Sequence, residues 1–263
     1  MMKLFKKLFN HFSRYFDKIV DFKSFEKFIQ MIKVYKTDQE LIRLGDKNDG
    51  GYLLPNDLKG IKYCFSAGVG ELIQFEKDCL KKFNINSFLC DFNEIPKSLS
   101  SEKFDYCQKK IETFSGDESI SLDDWIDSKN IEENDEIILK VDIERSEFET
   151  LLNISERNLK RIRILVIEFH NLRDIRNKSF FRITNSLISR LNNFFYLVHM
   201  HPNNSSKQIE IHKYKIPDIV EFTYLRKDRT KNLYDLDELL PHKLDRKNVL
   251  EKKDITLDPN IYK

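Results

Sequence analysis

Short apolar runs alternate with stretches of helical periodicity through the middle of this chain, and this alternation constrains the fold more than any other feature. Such a pattern is typical of parallel β-strands joined by crossover helices. It predicts an α/β fold, with a mostly parallel sheet and helices on both of its faces. Predicted strands cover residues 61–66, 87–90, 104–114, 136–141 and 164–169, and predicted helices cover 72–83, 147–152 and 180–191, with another starting after Ser121.

The last two predicted strands differ from the others because no helix separates them. They cover residues 194–198 and 219–225. Parallel neighbours need a long crossover connection, usually a helix, whereas antiparallel neighbours do not. We therefore expect these two strands to pair antiparallel, at or near one edge of the sheet.

The two ends of the chain lack this alternation. Residues 3–35 carry apolar side chains at three- and four-residue spacing, which predicts a helix. Its basic part, residues 3–20, would suit the inner membrane surface or a partner, but packing on its own domain or in a homo-oligomer is favoured. The predicted organisation is an N-terminal helical segment (1–38), a central domain (39–228) and a peripheral C-terminal tail (229–263).

Charge and cysteine content argue against several classes of protein. Lysine and arginine number 45 against 43 aspartate and glutamate, and the net charge of +2 lacks the basic excess of most nucleic-acid-binding proteins. The four cysteines show no CxxC pair and no zinc-like spacing with histidine, so free thiols in a reducing cytoplasm are expected. No apolar stretch is long enough for a transmembrane helix. The composition favours a cytoplasmic protein without a nucleic-acid partner.

A cluster of carboxylates follows the predicted strand 136–141, formed by Asp142, Glu144, Glu147 and Glu149. The helix dipole favours acidic residues in a first turn, so Glu147 and Glu149 are expected to serve the helix that follows. Asp142 needs another explanation, because it stands at the strand end itself. Ligands of open α/β sheets bind outside the carboxyl ends of the strands. Asp142 is therefore predicted to line a ligand cleft, with Glu144 as a second candidate.

A turn with two glycines follows the first predicted strand, in the sequence SAGVGE of residues 66–71. Two glycines there let a ligand approach the backbone and leave a helix N-terminus facing it. The match to G-x-G-x-x-G is incomplete, because Ile73 stands at the third glycine position, and a simple tight turn would look the same. Asp91 stands 21 residues beyond Gly70, where nucleotide-binding folds hold ribose hydroxyls. Together they predict a nucleotide-containing cofactor.

Further polar side chains follow the later strands. They are Glu168 and His170 after one strand, His199, His201, Asn203 and Asn204 after the next, and Glu221 at the start of the last. If the last strand is antiparallel, its beginning lies at the same edge as the ends of the others, so these groups could converge. Imidazole is well suited to take a proton near neutral pH. Carboxylates with imidazole could also bind a divalent metal, and the set does not specify which.

These segments stand in an order that resembles a known family. Residues 142–147 (DIERSE) are similar to a D-I-E-G-A-E segment, and residues 165–170 (LVIEFH) to a strand that ends E-x-H. Residues 45–52 resemble an N-D-G-G-Y segment, and residues 201–204 and 217–224 resemble late segments of the same branch. The resemblance is to the FkbM-type class I methyltransferases, which use S-adenosylmethionine, and it extends over roughly residues 40–228.

The resemblance implies a Rossmann-like, seven-stranded sheet with one antiparallel strand. It also implies methyl transfer to an oxygen of a small sugar, nucleotide-sugar or glycan acceptor, as in bacterial surface polysaccharide biosynthesis, with Mg²⁺ left open. The implied catalytic set is His201 as the base, His170 second, with Glu168 and Asp142. The implied cofactor-binding residues are Gly50, Gly51, Tyr52, Gly68, Val69, Gly70, Asp91, Phe92 and Asp142, and the acceptor-binding residues are His199, Asn203, Asn204 and Glu221.

The chain departs from the family pattern at two places. Arg145 and Ser146 stand where the family has Gly-Ala, and Ser66 stands near an acidic position of the first strand. Two alternatives stay open. A dinucleotide-dependent oxidoreductase would share the glycine turn and Asp91, and a non-catalytic relative would bind S-adenosylmethionine without turnover. Cofactor binding separates the first of these from a methyltransferase.

Overall fold

The computed structural model describes residues 19–93 and 104–263, and a seven-stranded sheet lies at its centre. Its strands are β1 (Tyr63–Ala67), β2 (Asn86–Asp91), β3 (Asp105–Gln108), β4 (Ile137–Val141), β5 (Ile162–Phe169), β6 (Phe195–Pro202) and β7 (Val220–Arg226). Across the sheet the order is β6-β7-β5-β4-β1-β2-β3. The order reverses between β1 and β4, which is the topological switch point of an open α/β sheet.

One strand of this sheet runs against the others. Strand β7 is antiparallel to both of its neighbours, β5 and β6. The pairs β1–β2, β1–β4, β2–β3 and β4–β5 are parallel. The predicted antiparallel pairing of the last two strands is confirmed, and so is the Rossmann-like, mostly parallel sheet.

The central strands are buried on both faces, so their side chains divide between two cores. In β4, Ile137, Leu139 and Val141 join one core, whereas Ile138 joins the other. Successive side chains of a strand point to opposite faces, which explains this division. Strands covered on both faces appear in sequence as continuous apolar runs, the pattern that identified them.

Six α-helices of the described residues connect or cover the strands. They are α1 (Phe22–Met31), α2 (Gln74–Phe83), α3 (Leu122–Asp127), α4 (Glu147–Asn153), α5 (Glu156–Arg161) and α6 (Lys178–Phe194), with short 3-10 helices at Leu172–Arg176, Lys227–Arg229 and Pro259–Ile261. Ser121 caps α3 as predicted, because its hydroxyl accepts from the amide of Asp124 at 3.1 Å. Apolar side chains of α1, α3, α4 and α6 belong to one core, and those of α2 to the other.

Four two-stranded pairs surround the sheet. They join Tyr35–Thr37 to Leu233–Asp235, Leu41–Gly45 to Gly51–Pro55, Lys110–Ile111 to Ser119–Ile120, and Gln208–Ile211 to Tyr214–Pro217. The predicted strand at residues 104–114 is therefore divided: β3 joins the main sheet, and Lys110–Ile111 forms a separate parallel pair. The hairpin of Leu41–Gly45 and Gly51–Pro55 matters for the site, because its turn carries residues 46–50.

The long helix predicted for residues 3–35 lies partly outside the described residues. Within the described part, α1 begins at Phe22, because the side chain of Asp21 caps it by accepting from the amide of Ser24. Residues 3–18 are not described, so their membrane or partner contact stays a prediction. In the described ranges, no helix combines the length and apolar character needed to span a bilayer.

The tail beyond residue 228, expected to be peripheral, packs into the protein. Leu257, Ile261 and Tyr262 are buried in the core of the sheet face that α1 covers. The carbonyl of Tyr262 accepts from the amide of Val34 at 2.8 Å, and its hydroxyl accepts from the amide of Leu240. These residues anchor the tail, because they bury apolar surface against the rest of the protein.

Candidate active site

The carboxyl ends of β1 and β4 touch at the switch point. The amide of Asp142 donates to the carbonyl of Ala67 at 2.9 Å. A Cβ atom on Gly68 would lie 1.6 Å from the carbonyl oxygen of Asp142, and Gly68 has a φ of +74°. Both facts exclude an ordinary side chain at this position. The first glycine of the turn is therefore required by the fold, so its presence alone is no proof of a ligand.

Asp91 holds the glycine turn from the end of β2. Its Oδ2 accepts from the amides of Val69 at 2.8 Å and Gly70 at 3.1 Å, and its Oδ1 accepts from the amide of Asn93. Burial opposes the charge, but these N–H groups outweigh it and lower the pKa of Asp91. A charged carboxylate therefore stands at the position predicted to hold a ribose.

A cavity of about 240 Å³, here called the turn-side cavity, opens beside this turn. Its lining residues are Asp49, Gly50, Tyr52, Gly68, Val69, Gly70, Glu71, Leu72, Asp91, Asn93, Lys140, Asp142 and Glu144. Two of the predicted cofactor residues, Gly51 and Phe92, are not among them, and the side chain of Phe92 is 58% exposed. The structure thus gathers most of that predicted set around one opening.

Lys140 is a buried cation in the wall of the turn-side cavity. Its Nζ donates to the carbonyl of Gly68 at 2.9 Å and lies 3.8 Å from Oε1 of Glu76. The hydroxyl of Ser66 donates to the same oxygen of Glu76 at 2.5 Å. Burial opposes the charge, but Glu76 and Asp142 raise the pKa of Lys140. Glu76 of α2 thus supplies a buried carboxylate beside Ser66, a contact that sequence analysis missed.

Tyr52 contacts Asp142 from the neighbouring hairpin. Its hydroxyl donates to Oδ2 of Asp142 at 3.1 Å. Burial and the Asp142 carboxylate raise the pKa of Tyr52 well above its ordinary value, so the phenol remains a donor. Burial also raises the pKa of Asp142, against the attraction of Lys140 and His170. The contact connects the N-D-G-G-Y segment to the D-I-E segment and orients the carboxylate.

His170 is paired with a carboxylate of α4. Its Nδ1 lies 2.7 Å from Oε1 of Glu147, a residue whose side chain is fully buried. Its Nε2 lies 3.9 Å from Oε2 of the exposed Glu144. Burial would lower the pKa of His170, but Glu147 and then Asp142 raise it. Glu147 therefore does more than begin a helix, the role that sequence analysis assigned to it.

A second cavity, here called the polar cavity, has a volume of about 230 Å³. Its lining residues are Asp49, Asp142, Glu144, Glu168, His170, Asn203, Ser205, Ile219, Asn248 and Val249. Asp49, Asp142 and Glu144 also line the turn-side cavity, so the two cavities adjoin. A group bound in one cavity would therefore lie beside a group bound in the other.

Glu168 stands in the wall of the polar cavity. Its Oε1 accepts from the side-chain amide of Asn203 at 2.7 Å. Burial raises the pKa of Glu168 well above its ordinary value, and the charges of Asp142 and Glu221 add to that effect. One donor atom from each of Asp142, Glu168 and His170 lies within 4.8 Å of the others, a grouping that suits a divalent cation.

The structure places His199 and His201 away from both cavities. His199 Nε2 lies 3.0 Å from Oδ1 of Asp245, and His201 Nδ1 lies 3.4 Å from Oδ2 of the same residue. Burial opposes protonation of His201, but Glu221 and Asp245 raise its pKa to about 9. Neither imidazole is among the described lining residues of the turn-side or polar cavity. Both lie beside Asp245 of the tail, which sequence analysis did not select.

Asn204 and Glu221 also contact the tail. The side chain of Asn204 accepts from the amide of Val249 at 2.8 Å and donates to its carbonyl at 2.8 Å. Glu221 accepts from the side-chain amide of Asn248 at 3.1 Å and lies opposite both Glu168 and His201 in the sheet. Among the residues predicted to bind an acceptor, Asn203 alone lines the polar cavity.

Several solved structures are similar to this chain at low identity. A fibrillarin/Nop5p complex matches at 12% identity and a TM-score of 0.38, covering 64% of this chain and 74% of that one. The METTL16 methyltransferase domain matches at 8% identity and a TM-score of 0.33, and the match covers 65% of this chain and 61% of that one. An S-adenosylmethionine-dependent methyltransferase from Archaeoglobus fulgidus matches at 14% identity and a TM-score of 0.34, and the match covers 65% of this chain and 88% of that one.

No curated protein matches the chain in sequence. A family model does match it, the methyltransferase FkbM domain, over residues 62–196. That range runs from the start of β1 into β6 and takes in the glycine turn, Asp91, the D-I-E segment and the E-x-H segment. As it covers just over half of the chain, this protein belongs to the FkbM family of S-adenosylmethionine-dependent methyltransferases.

Proposed function

We propose that this protein transfers a methyl group from S-adenosylmethionine to a hydroxyl group of a sugar, nucleotide-sugar or glycan. The observation that carries the proposal is that His170, paired with the buried Glu147, lines the polar cavity together with Asp142, a carboxylate that also lines the turn-side cavity. This arrangement provides a group that can take a proton where an acceptor would bind. The carbohydrate class and a role in surface polysaccharide synthesis in the cytoplasm extend the proposal by family resemblance.

The residues around the turn-side cavity fit the methyl donor. S-adenosylmethionine supplies an activated methyl group on a positively charged sulfonium. Carboxylates dominate the described lining, which includes Asp49, Asp91, Asp142 and Glu144, and Lys140 is the one Lys or Arg among those residues. A cationic sulfonium and an ammonium group match that charge, and Lys140 complements a carboxylate. Asp91 is the group we assign to the ribose.

His170 is the residue we assign as general base. Glu147 holds the hydrogen on Nδ1, which leaves the lone pair on Nε2 to accept the proton of an acceptor hydroxyl. The imidazolium that forms is stabilised by the buried Glu147 carboxylate. His201, the first candidate from sequence, ranks lower because it lines neither cavity. General-base assistance of this kind is worth about 10²–10⁴-fold in rate.

Asp142, Glu168 and Asn203 are the groups we assign to orientation. Asp142 stands between the two cavities, where its carboxylate favours a nearby cation and can accept from an acceptor hydroxyl. Asn203 binds Glu168, and both face the polar cavity. Holding donor and acceptor in reactive alignment is the largest task left to the protein, because the methyl group is already activated.

Asp142, Glu168 and His170 could instead bind a divalent cation, and this role competes with that of His170 as a base. Mg²⁺ and Mn²⁺ prefer oxygen ligands such as the two carboxylates, whereas an imidazole ligand suits Zn²⁺, Fe²⁺ or Ni²⁺. His170 cannot take a proton at Nε2 while that atom binds a metal. Turnover that survives EDTA would support the base, and turnover lost to EDTA and restored by Mg²⁺ or Mn²⁺ would support the cation.

The first test is binding of S-adenosylmethionine by calorimetry, on wild type and on Asp91→Ala. Losing hydrogen bonds to a charged group should weaken binding by roughly tenfold or more. Asp105→Ala is the matched control, because Asp105 is an exposed aspartate on the neighbouring β3. Absence of binding by folded wild type would contradict the proposal.

The second test is methyl transfer to a panel of sugars, with His170→Ala and the control His212→Ala. His212 is exposed and stands outside both cavities. We expect His170→Ala to lose about 10²–10⁴-fold in turnover. Cofactor binding without methyl transfer to any acceptor would favour the non-catalytic alternative instead.

A further inference from the structure

The tail closes one side of the polar cavity, and we call residues 242–253 the C-terminal strap. Asn248 and Val249 of the strap line the cavity, although they lie far along the chain from β4 and β5. They stand outside residues 62–196, the range of the family match. This wall of the cavity therefore belongs to this chain's own tail rather than to the matched domain.

Buried polar contacts hold the strap on the sheet. Asp245 binds His199 and lies beside His201, and it also accepts from the amide of His242 at 2.7 Å. Asn204 makes two hydrogen bonds with the backbone of Val249. Asp245 and its two histidines are buried, so solvent does not compete for these contacts. His199 is thus a positioning residue for the strap, and His201 lies at ion-pair distance from the same carboxylate.

Among the described residues of the strap, Asn248 has a buried side-chain atom without a hydrogen-bond partner. Its side-chain nitrogen donates to Asp49 at 3.0 Å and to Glu221 at 3.1 Å. Two carboxylates on that side determine the orientation of the amide, since its oxygen would be repelled there. The oxygen is buried and has no hydrogen-bond partner among the described residues. A buried acceptor without a donor is unfavourable, and a donor bound in the adjacent cavity would satisfy it.

The charges around the polar cavity restrict what can bind there. Its ionisable lining residues are Asp49, Asp142, Glu144, Glu168 and His170, and none of the described lining residues is Lys or Arg. A phosphate or carboxylate in this cavity would meet four acidic side chains, and the one basic side chain in the described lining, His170, is already paired with Glu147. Hydroxyl and ammonium groups would find carboxylate and amide oxygens that accept their hydrogens.

From these observations we infer that the C-terminal strap helps to select the acceptor. The side-chain oxygen of Asn248 accepts a hydrogen bond from the acceptor, and the acceptor is a neutral sugar or an amino sugar. Uronic acids and sugar phosphates are excluded when the charged group enters the cavity. This rests on the proposed function, because it assumes that the polar cavity is the acceptor site.

Direct binding tests the inference without relying on methyl transfer. With S-adenosylhomocysteine present, methyl glucoside, glucosamine and glucuronic acid are titrated by ligand-observed NMR. We expect binding of the neutral or amino sugar, at least about tenfold tighter than glucuronic acid, since each 1.4 kcal/mol is a factor of ten. If none of the three sugars binds, or if glucuronic acid binds most tightly, the inference is overturned. Sugar binding without methylation would instead overturn the proposed function alone.

Variants of the strap provide a second test of the inference. Asn248→Ala should weaken sugar binding by roughly fivefold to tenfold, the value of about one hydrogen bond. It should affect the affinity for S-adenosylmethionine much less, because Asn248 is connected to the turn-side cavity through its hydrogen bond to Asp49 and is not in the described lining of that cavity. Asn260→Ala is the control, because Asn260 is an exposed tail residue whose side chain, among the described residues, hydrogen-bonds to Asp258 of its own turn. Equal effects of the two variants, or no effect of Asn248→Ala, overturn the role of Asn248.

Asp245→Ala tests the anchor of the strap. We expect faster hydrogen exchange at residues 244–253, unchanged exchange in β2, and the same loss of sugar affinity as in Asn248→Ala. If Asp245→Ala does not fold, the more exposed Asn248→Ala still decides the inference. Unchanged exchange of the strap in folded Asp245→Ala overturns the anchoring role.

Discussion

The Nδ1 atom of His170 lies 2.7 Å from Oε1 of Glu147, and this contact joins the end of β5 to the first turn of α4. Glu147 is fully buried and His170 is one-tenth exposed. The carboxylate therefore acts on the imidazole in a medium that screens it weakly. This pair sets both the tautomer and the basicity of the proposed base.

We expect Glu147→Gln to change the pH dependence of methyl transfer. The pKa of His170 is raised above 6.5 in the folded protein, and neutral His170 is the active form, so turnover should increase with pH through that pKa. Removing the Glu147 charge lowers the pKa of His170, so the increase of turnover with pH moves to lower pH. Turnover at the plateau should fall by about 10–100-fold, as for other groups that orient a site residue.

A pH–rate profile of kcat checks this prediction. Glu149→Gln is the matched control, because Glu149 stands in the same helical turn but is exposed. Its profile should overlay that of wild type. An unshifted profile for Glu147→Gln would contradict the role of Glu147.

Gly68→Ala should destabilise the protein and weaken S-adenosylmethionine binding. The new Cβ would lie 1.6 Å from the carbonyl oxygen of Asp142, so β1 and β4 must separate at the switch point. Gly70→Ala is the comparison: its φ is +56°, but no atom lies within 4 Å of the added Cβ. Backbone strain alone costs about 1–3 kcal/mol. Thermal unfolding and calorimetry should show a clearly larger loss for Gly68→Ala, and equal losses would contradict the steric argument.

Arg145→Gly should stabilise the protein. Arg145 has a φ of +85°, a conformation that favours glycine, and the family has glycine there. Relief of this strain should raise the free energy of unfolding by about 1 kcal/mol, or roughly 2–4 °C in Tm. Ser146→Gly is the control, because Ser146 has a φ of −94° and gains nothing from glycine. A lower Tm for Arg145→Gly would show that its side chain outweighs the strain.

The His201–Asp245 contact should make stability depend on pH. The folded pKa of His201, about 9, exceeds the ordinary 6.5, so its contribution is complete below pH 6.5 and is lost as pH rises through about 9. The pKa of Asp245 is lowered, so its contribution is present above pH 3.8 and is lost as pH falls. The free energy of unfolding should therefore decrease between pH 6.5 and 9.

Asp245→Asn should reduce that decrease and lower the free energy of unfolding at pH 7 by about 3 kcal/mol, as for other buried pairs that lose one partner. Asp235→Asn is the control, because Asp235 makes an exposed pair with Lys33 that is worth at most about 1 kcal/mol. Urea unfolding at several pH values measures both. A pH dependence that is identical in wild type and Asp245→Asn would contradict the assignment.

The fold could be predicted largely because its determinants are local. Apolar runs that are buried on both faces identified β4 and β5, and the helical periodicity after β1 identified α2. The lack of a helix before β7 predicted its antiparallel pairing. Its place between β5 and β6 depends on contacts across the whole sheet, which no local pattern contains.

The site could be predicted only in part. Asp142, Glu168 and His170 were found because they follow strands whose carboxyl ends must meet. Glu147 was assigned to the helix dipole, since burial against His170 is invisible before α4 packs on β5. Asp245 was missed because it lies 46 residues beyond His199 in a charged tail.

By itself, the sequence determined the layered fold, the family and the edge of the sheet where the candidate site lies, since these follow from periodicity and from residue order. Only the tertiary structure decided which histidine faces a cavity and which one anchors the tail. His170 and His201 both follow predicted strands. His170 is paired with Glu147 and lines the polar cavity, whereas His201 lies beside Asp245 of the tail and is not in the described lining of that cavity. That outcome depends on packing between distant segments, which the order of residues along one strand does not record.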